Sequence, residues 1–537
     1  MADTLTLKPS AAGAGSGSGG HAATPAAHVD GRRMFAFLCM VFGMFMAILD
    51  IQIVSASLAE IQAGLAASSD EISWVQTAYL IAEVVMIPLS GFLSRALSTR
   101  WLFATSAAGF TLMSFMCATA SSINEMIVYR ALQGFLGGGM IPTVFAAAYT
   151  VFPREKQPIV APMIGLVATL APTIGPTVGG YLTDLFSWHW LFLINVIPGM
   201  FVVLAAVTLI DFDEPDFALL DKFDWWGLLF MAGFLGSLEF VLEEGPTNDW
   251  FEDQTIVAFA IVCAVSSLAF FARVFSTDHP VVDLRAFENR NFSIGSAFSF
   301  VMGIGLYGLT YLYPVFLGRV RGYSALQIGE TMFVTGIAMF LTAPIAGRLM
   351  TKIDPRIMMG AGFAAFGVGT WWVTYITKDW DFWELLIPQI LRGVGLMIAM
   401  IPINNISLGT MPPAQMKNAS GLFNLMRNLG GAVGLALINT VLNNRWDLHL
   451  ARLHEHVDWA SAAAVERLDT ITAGFARLGS DASAAALKQM AAIVRQQALV
   501  MAFSDVFYLL TFLFVALVIA APLMKRPKPG AGGGGGH

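Results

Sequence analysis

Fourteen stretches of this chain are apolar over enough consecutive residues to cross a lipid bilayer, and no soluble fold accommodates so many. They fall near 34-57, 72-94, 101-121, 125-150, 159-183, 188-210, 224-243, 254-275, 293-317, 326-350, 357-377, 382-408, 418-442 and 499-523. Backbone N–H and C=O groups cannot go unpaired in hydrocarbon, and these runs lack the alternating pattern of barrel strands, so each is expected to be a helix. The chain of 537 residues is 56% hydrophobic and only 12% charged, against about a quarter charged in soluble domains. The spans and short connections consume nearly all of it. The expected fold class is therefore an all-α polytopic membrane protein.

Composition excludes other classes. The net charge of -7 comes without a long basic run, so nothing resembles a nucleic-acid footprint. Cys39, Cys117 and Cys263 all lie in apolar spans, where a thiol packs as a small hydrophobe, and no metal-ligand spacing is present. No nucleophile and base constellation or phosphate loop is found either, so neither an enzyme nor a cofactor is expected.

Residues 1-31 are mostly Ala, Gly, Ser and Thr and read as a disordered cytoplasmic tail. Arg32 and Arg33 then precede an uncleaved first span. Two six-helix bundles are expected over 32-210 and 291-523, with two extra spans and their flanking loops over 211-290 and a cytoplasmic tail over 524-537. Arg95, Arg100, Arg154, Lys156, Arg348, Lys352, Arg356, Lys525, Arg526 and Lys528 fall on one side with Arg32 and Arg33, which makes that side, and both termini, cytoplasmic. An internal repeat supports the two halves. Gly91 with Arg95 and Arg100 is echoed by Gly347 with Lys352 and Arg356, and Arg130, Gly134 and Pro142 by Arg392, Gly393 and Pro402. A long outer loop is expected at 443-498, with Ala482 to Gln497 extending the last span into a helix of roughly forty residues that projects from the membrane.

An ion at the bilayer centre costs about 2.5 to 3.5 kcal/mol, so each one needs a reason. Asp50 in span 1 and Arg130 in span 4 reach similar depth and can face each other, either as an ion-coupling site or as a static bridge fixing helix register. Glu83, mid-span, is a proton-carrier candidate or a carboxyl held neutral by a hydroxyl or carbonyl. Asp505 and Glu239 are weaker proton candidates, while Glu243, Glu244 and Glu330 lie near loops and read as solvated. Pro172, Gly175, Pro176, Gly179 and Gly180 crowd one stretch of span 5, where small residues allow close helix contact and prolines allow flexing; a gating helix is expected. Aromatic and Met-rich stretches such as Trp371-Trp372 read as core or lipid-facing. His449, His454 and His456 read as a solvated helix face rather than a metal site.

These residues together resemble the major facilitator superfamily, and in it the fourteen-span drug:proton antiporters of the EmrB and QacA kind, over residues 33 to 523. Leu49-Asp50 with Ile53-Val54 is similar to the family's first-span motif. Arg130-Ala131-Leu132-Gln133-Gly134 matches its proton-coupling motif, and Gly175-Pro176 with Gly179-Gly180 its antiporter motif, followed by Trp188, Trp190, Phe192, Asn195 and Pro198. The loop motif after span 2 departs from the pattern: Arg95 stands where an aspartate is usual, and Ser98 where a glycine is usual.

The resemblance implies a major facilitator fold in the bacterial inner membrane. It implies export of hydrophobic small-molecule substrates driven by protons, in contact with membrane lipid. The outer loop is similar to that of EmrB-type members, which work with an EmrA-like periplasmic adaptor and an outer-membrane channel. Two alternatives stand beside this: an exporter of an endogenous metabolite such as a siderophore or fatty acid, and a membrane sensor or scaffold that has lost transport.

Overall fold

The computed structural model describes residues 31–152, 157–457, 460–475, 477 and 481–525. Arg154, Lys156, Arg526 and Lys528, and the tails at 1–30 and 526–537, lie outside the described residues.

Fourteen long helices run through the described residues: α1 (Gly31–Ala56), α2 (Trp74–Ala96), α3 (Ser98–Ala118), α4 (Ile123–Val151), α5 (Gln157–Leu185), α6 (Trp190–Leu209), α7 (Trp225–Glu244), α8 (Gln254–Ser276), α9 (Arg290–Arg319), α10 (Ala325–Leu349), α11 (Pro355–Val373), α12 (Phe382–Gly409), α13 (Met416–His454) and α14 (Ala482–Ala520). Thirteen of them are long and apolar enough to cross a membrane. The other, α11, is 19 residues and begins with Pro355 and Arg356; it packs along α12 and α14.

Local chemistry sets where the helices begin. Ser122 accepts the Glu125 N–H at the start of α4, and Asn289 caps α9 through the N–H groups of Asn291 and Phe292. Ser324 with Gln327, and Asp381 with Glu384, form reciprocal capping boxes at α10 and α12.

The two faces of the bundle are distinguished by hydrogen bonds between connections. Arg32 donates to the Thr208 carbonyl, Asp213 accepts the Thr99 N–H, Asn418 pairs with Asp283, and Asn291 pairs with Lys525. Both described chain ends, the α2–α3 turn and the α6–α7 and α12–α13 connections therefore share one face, called here the termini face. The α1–α2 connection and residues 443–498 lie on the opposite face.

Two details differ from the sequence expectation. The helical course of α4 is interrupted at Gly138 and Gly139. Helix α13 does not stop near 442 but runs 39 residues to His454, so the outer loop starts later and carries its own helix, Ala462–Gly474. Helix α14 is also 39 residues, close to the expected length. Two helices of this length span about 58 Å, nearly twice a hydrocarbon core, so both continue beyond the bilayer.

Candidate functional site

Helices α1, α3, α4 and α6 converge on one buried polar cluster. Arg130 Nη1 donates to Asp50 Oδ2 at 2.6 Å, with both side chains fully buried, and to Gln133 Oε1 at 2.8 Å. Arg130 Nε reaches back to the Val75 carbonyl on α2 at 3.2 Å. Asp50 Oδ1 accepts from Asn195 at 2.7 Å and from Gln133 at 3.2 Å, and the Ser114 hydroxyl accepts from both amides. The guanidinium lies 4.2 Å from the centroid of the Tyr79 ring, a cation–π contact. Taking two charges out of water is costly unless their remaining lone pairs and protons are satisfied. Three donors on one carboxylate meet that condition for Asp50, while Arg130 Nη2 is left without a hydrogen-bond partner among the described residues. Gln133 and Asn195 stood in the sequence motifs without an assigned task; Ser114 carried no sequence signal.

What permits the approach of α4 to α2 is Gly134, where any Cβ would strike the Tyr79 carbonyl oxygen. A turn later, Gly138 packs on Glu83: a Cβ there would sit 3.0 Å from the Glu83 carbonyl and 3.2 Å from its Cγ. The interruption of α4 thus lies against the mid-span carboxylate.

Between the two halves of the chain runs a cavity of about 370 Å³, lined by Gln52, Gln76, Pro176, Glu243, Tyr307 and Asn439 among others. Leu58 of the α1–α2 connection is among its lining residues, so the cavity approaches the face opposite the termini. A smaller chamber of about 60 Å³, bordered by Glu83, Glu239 and Glu243, adjoins it and shares Gln52, Gln76, Glu243, Tyr307 and Leu435 with its lining. Glu83 is 3% exposed, and its Oε1 has no hydrogen-bond partner among the described residues. Asp50 and Arg130 do not line the cavity; they stand behind α2. The expectation that Glu243 is simply solvated is corrected: the last turn of α7 leans on α2 and α13 and directs it inward. Glu244, its neighbour, accepts from Thr77 at 2.9 Å, while Glu330 is exposed.

Helix α5 is continuous through Pro162, Pro172 and Pro176. Gly175 and Gly179 face α1: a Cβ on Gly175 would strike Gln52, and one on Gly179 would come 2.8 Å from the Ile53 carbonyl. On its other side α5 meets α10, with Leu170 against Gly336 and Thr177 against Gly329. Pro172 and Gly180 are buried. The Gly/Pro stretch is thus wedged between the halves, and its Pro176 lines the cavity.

The termini face is closed by contacts between the halves. Gly91 lets α2 approach α13, 2.9 Å being the distance a Cβ there would keep from Asn418 Cα. Lys417 Nζ bonds the Ser94 carbonyl at 2.7 Å and pairs with Asp213; the Ser420 hydroxyl donates to the Pro142 carbonyl at 3.0 Å. Arg95 lies 5.9 Å from the Phe92 ring and Arg100 5.4 Å from the Trp101 ring, neither in an ion pair among the described residues. The charge contact at this seam comes from the acidic α6–α7 connection, and no sequence pattern marked Asp213 or Lys417 for it.

The second half shows a different register from the sequence echo. Gln389 donates to the Thr331 carbonyl on α10, and Gly393 packs on the carbonyl of Thr335, four residues on. In the first half Arg130 donates to the Val75 carbonyl and Gly134 packs on that of Tyr79, again four residues on. Gln389 therefore stands where Arg130 stands, and Arg392 corresponds to Gln133. Arg392 is 1% exposed, donates to Thr310 at 2.7 Å and has no carboxylate partner among the described residues. Gly347 is buried near the end of α10.

Asp505 is remote from this cluster. It pairs with His449 Nε2 at 2.8 Å and Arg445 at 3.5 Å, tying α14 to the projecting part of α13. His449 is only 7% exposed, so the expected solvated His face is corrected at that residue.

Comparison with known proteins follows the same outline. The sequence model of the Major Facilitator Superfamily matches residues 40–435. The Colistin resistance protein EmrB of Acinetobacter baumannii is 42% identical over 492 residues, which is 92% of this chain and 96% of that protein. The Fatty acid resistance protein FarB of Neisseria gonorrhoeae is 30% identical, covering 93% and 97%, and the Multidrug export protein EmrB of Escherichia coli is 29% identical, covering 93% and 96%. Among solved structures, the human organic anion transporter MFSD10 superposes with a TM-score of 0.56 at 13% identity over 90% of this chain and 99% of its own. A bacterial homolog of the human lysosomal transporter Spinster gives 0.52 at 13% identity, covering 93% and 99%. At that identity the likeness is one of fold.

Proposed function

Because this chain belongs to the Major Facilitator Superfamily, as an EmrB-type member, we propose that it exports hydrophobic or amphipathic small molecules in exchange for protons, by alternating access of two helical bundles. It is a transporter and not an enzyme. The observation that carries the export reading is the arrangement of the central cavity: it approaches one face, while the Lys417–Asp213 pair and the Gly91 contact seal the other. With the termini face cytoplasmic, this is a conformation facing outward from a bacterial inner membrane.

Asp50, Arg130 and Glu83 form the proton route in this reading. Glu83 meets the cavity and loads or releases the proton, and the Asp50–Arg130 unit one layer behind responds through α2 and the interrupted α4. Protonation favours one of two arrangements only so far as it stabilises that arrangement over the other. Asp505, remote from the cavity, serves the outer projection rather than this route. Pro172, Gly175, Pro176, Gly179 and Gly180 give α5 the small face on which it slides against α1 and α10 as the halves rock. The 39-residue α13 and α14 with the helix Ala462–Gly474 supply a surface for an EmrA-like adaptor and an outer-membrane channel.

The deciding experiment is pH-gradient-driven flux of a lipophilic cationic dye and of an uncoupler in proteoliposomes. Flux in the intact protein that is lost in Arg130→Ala and Glu83→Gln is expected; flux unchanged in both variants overturns the proton route. A second reading, export of a fatty acid, draws on the name of the 30%-identical FarB. It predicts that growth inhibition by long-chain fatty acids is relieved by expression of this chain while cationic dyes are not moved.

A further inference from the structure

We infer that Arg427 of α13 is a positioning residue for the proton step: it is the counter-charge that ionised Glu83 takes up across the two halves, and the pair so formed holds the termini face shut until a proton arrives. This rests on the reading of Glu83 as the proton carrier and adds the residue through which its charge acts on the two halves.

Arg427 is 2% exposed and, among the described residues, stands in no ion pair. Its side chain folds back toward the start of α13, as helical side chains do. Nη2 donates to Asn424 Oδ1 at 2.6 Å, and the guanidinium lies 5.3 Å from the centroid of the Phe145 ring of α4. Phe145 belongs to the first half, so this cation of the second half reaches across the seam. Its Nε and Nη1 are buried without an acceptor among the described residues, as Glu83 Oε1 is without a donor. Such groups are unfavourable until something meets them, and an ion in a membrane interior marks a functional site by default.

The contacts of α2 with α13 put the two groups at one level. The helices run antiparallel: Gly91 meets Asn418, Gly421 meets the Ile87 carbonyl, and Leu80 and Glu83 border the same chamber as Asn428 and Gly431. Glu83 is thus one turn beyond Ile87, and the guanidinium, beside Asn424, is one turn beyond Gly421. Each lies within range of the other's charge. The other charged or titratable groups facing Glu83 are Asp50 and Arg130 behind α2, Tyr79 on α2 itself, Glu239 and Glu243 of α7, and Tyr307 of α9. Arg130 is engaged by Asp50 within the first half, and the rest are acids and phenols, so Arg427 is the cation left for Glu83. A Glu83 carboxylate without a counter-ion is a stranded buried charge, and the arrangement that keeps Arg427 beside it is the one with α2 joined to α13. Parting the halves at the termini face separates Gly91 from Asn418 and Gly421 from Ile87, and carries Arg427 away. A proton arriving through the cavity neutralises the carboxylate while Arg427 keeps its charge, and the preference for the closed face falls by what the pair contributed. An emptied carrier is held facing outward until it takes up that proton.

The test reads the termini face directly, in the full-length protein in lipid nanodiscs with Cys39→Ala, Cys117→Ala and Cys263→Ala as background. Spin labels at Arg33→Cys and Lys352→Cys, both exposed and one on each half, report the separation of the halves by double electron–electron resonance. Helix α11 starts beside Ala521 near the end of the chain, which puts Lys352 on the termini face. The closed-to-open ratio is expected to rise at least roughly fivefold from about pH 5.5 to about pH 9. Arg427→Gln should flatten that rise to less than about twofold, and Arg427→Lys should keep most of it. At the acidic end Arg427→Gln should match the parent protein, since the pair is broken there in any case, which also shows that the variant is folded. If Arg427→Gln does not fold, Glu83→Gln breaks the pair from the other side and should be as flat. A rise that survives in Arg427→Gln or in Glu83→Gln overturns the inference. So does a ratio that ignores pH in the parent, or an Arg427→Lys variant as flat as Arg427→Gln, because the residue then serves packing and not charge. Loss of the rise in Arg427→Gln, in a protein that moves neither dye nor uncoupler under a pH gradient, sustains this inference and sinks the export reading; pH-driven flux with a rise that survives in Arg427→Gln does the reverse.

Discussion

Replacing Arg130 by Met isolates the energetics of the buried ion pair. The substitution keeps an unbranched apolar stem but removes the charge, the 2.6 Å bond to Asp50, the bond to Gln133 and the bond to the Val75 carbonyl. Asp50 is left fully buried with two amide donors and no counter-ion. Removing one partner of a buried pair costs about 3–5 kcal/mol. An independent ceiling comes from letting the carboxyl take up a proton, which for an ordinary aspartic acid at pH 7 costs about 4 kcal/mol. The two figures agree. At pH 5 that ceiling drops to about 1.5 kcal/mol, so the variant's deficit should shrink on acidification.

The double variant Asp50→Asn with Arg130→Met has no stranded charge, keeps an amide to meet Asn195 and Gln133, and should lose no more than about 2 kcal/mol. A double-mutant cycle should therefore return a coupling of at least about 2 kcal/mol. The assay is equilibrium unfolding in mixed micelles by titration with sodium dodecyl sulfate, followed by tryptophan fluorescence at pH 7 and pH 5. A single variant within 1 kcal/mol of the intact protein, or a double variant as impaired as the sum of its singles, refutes the claim that the two charges are coupled.

Three further outcomes follow from the geometry. Glu83→Gln should retain the melting temperature of the intact protein, because Oε1 has no partner to lose, yet abolish pH-driven flux in proteoliposomes. Gly134→Ala should lower stability by about 1–3 kcal/mol or prevent folding, since its Cβ meets the rigid Tyr79 carbonyl; an unchanged yield and melting temperature would show that α2 and α4 are not so closely apposed. Asp213→Asn should loosen the termini face. Lys417 and Asp213 are partly exposed, which limits the pair to roughly 0.2–1 kcal/mol and a shift in populations of up to about fivefold. Faster maleimide labelling of a cysteine placed at Asn418 measures it.

The membrane class, the helical build and the positions of most spans were set by composition and run length alone, because a bilayer imposes its thickness on any segment that crosses it and forbids unpaired backbone there. Asp50 and Arg130 were legible for the same reason, as an intramembrane charge must find a partner. The motifs Arg130 to Gly134 and Gly175 to Gly180 also lay in plain view, since they are contiguous in the chain. What the tertiary structure decided were the contacts between segments far apart in sequence. It brought Glu243 from a position beside a loop into the central cavity by leaning α7 on α2 and α13. It made Lys417 and Asp213, separated by 204 positions, the charge contact across the seam. It aligned Gln389 rather than Arg392 with Arg130, because helix rotation, and not residue type, determines which side chain reaches a neighbouring carbonyl. Hydropathy reports only whether a residue can lie in the membrane; which neighbour it meets there is fixed by how the helices pack.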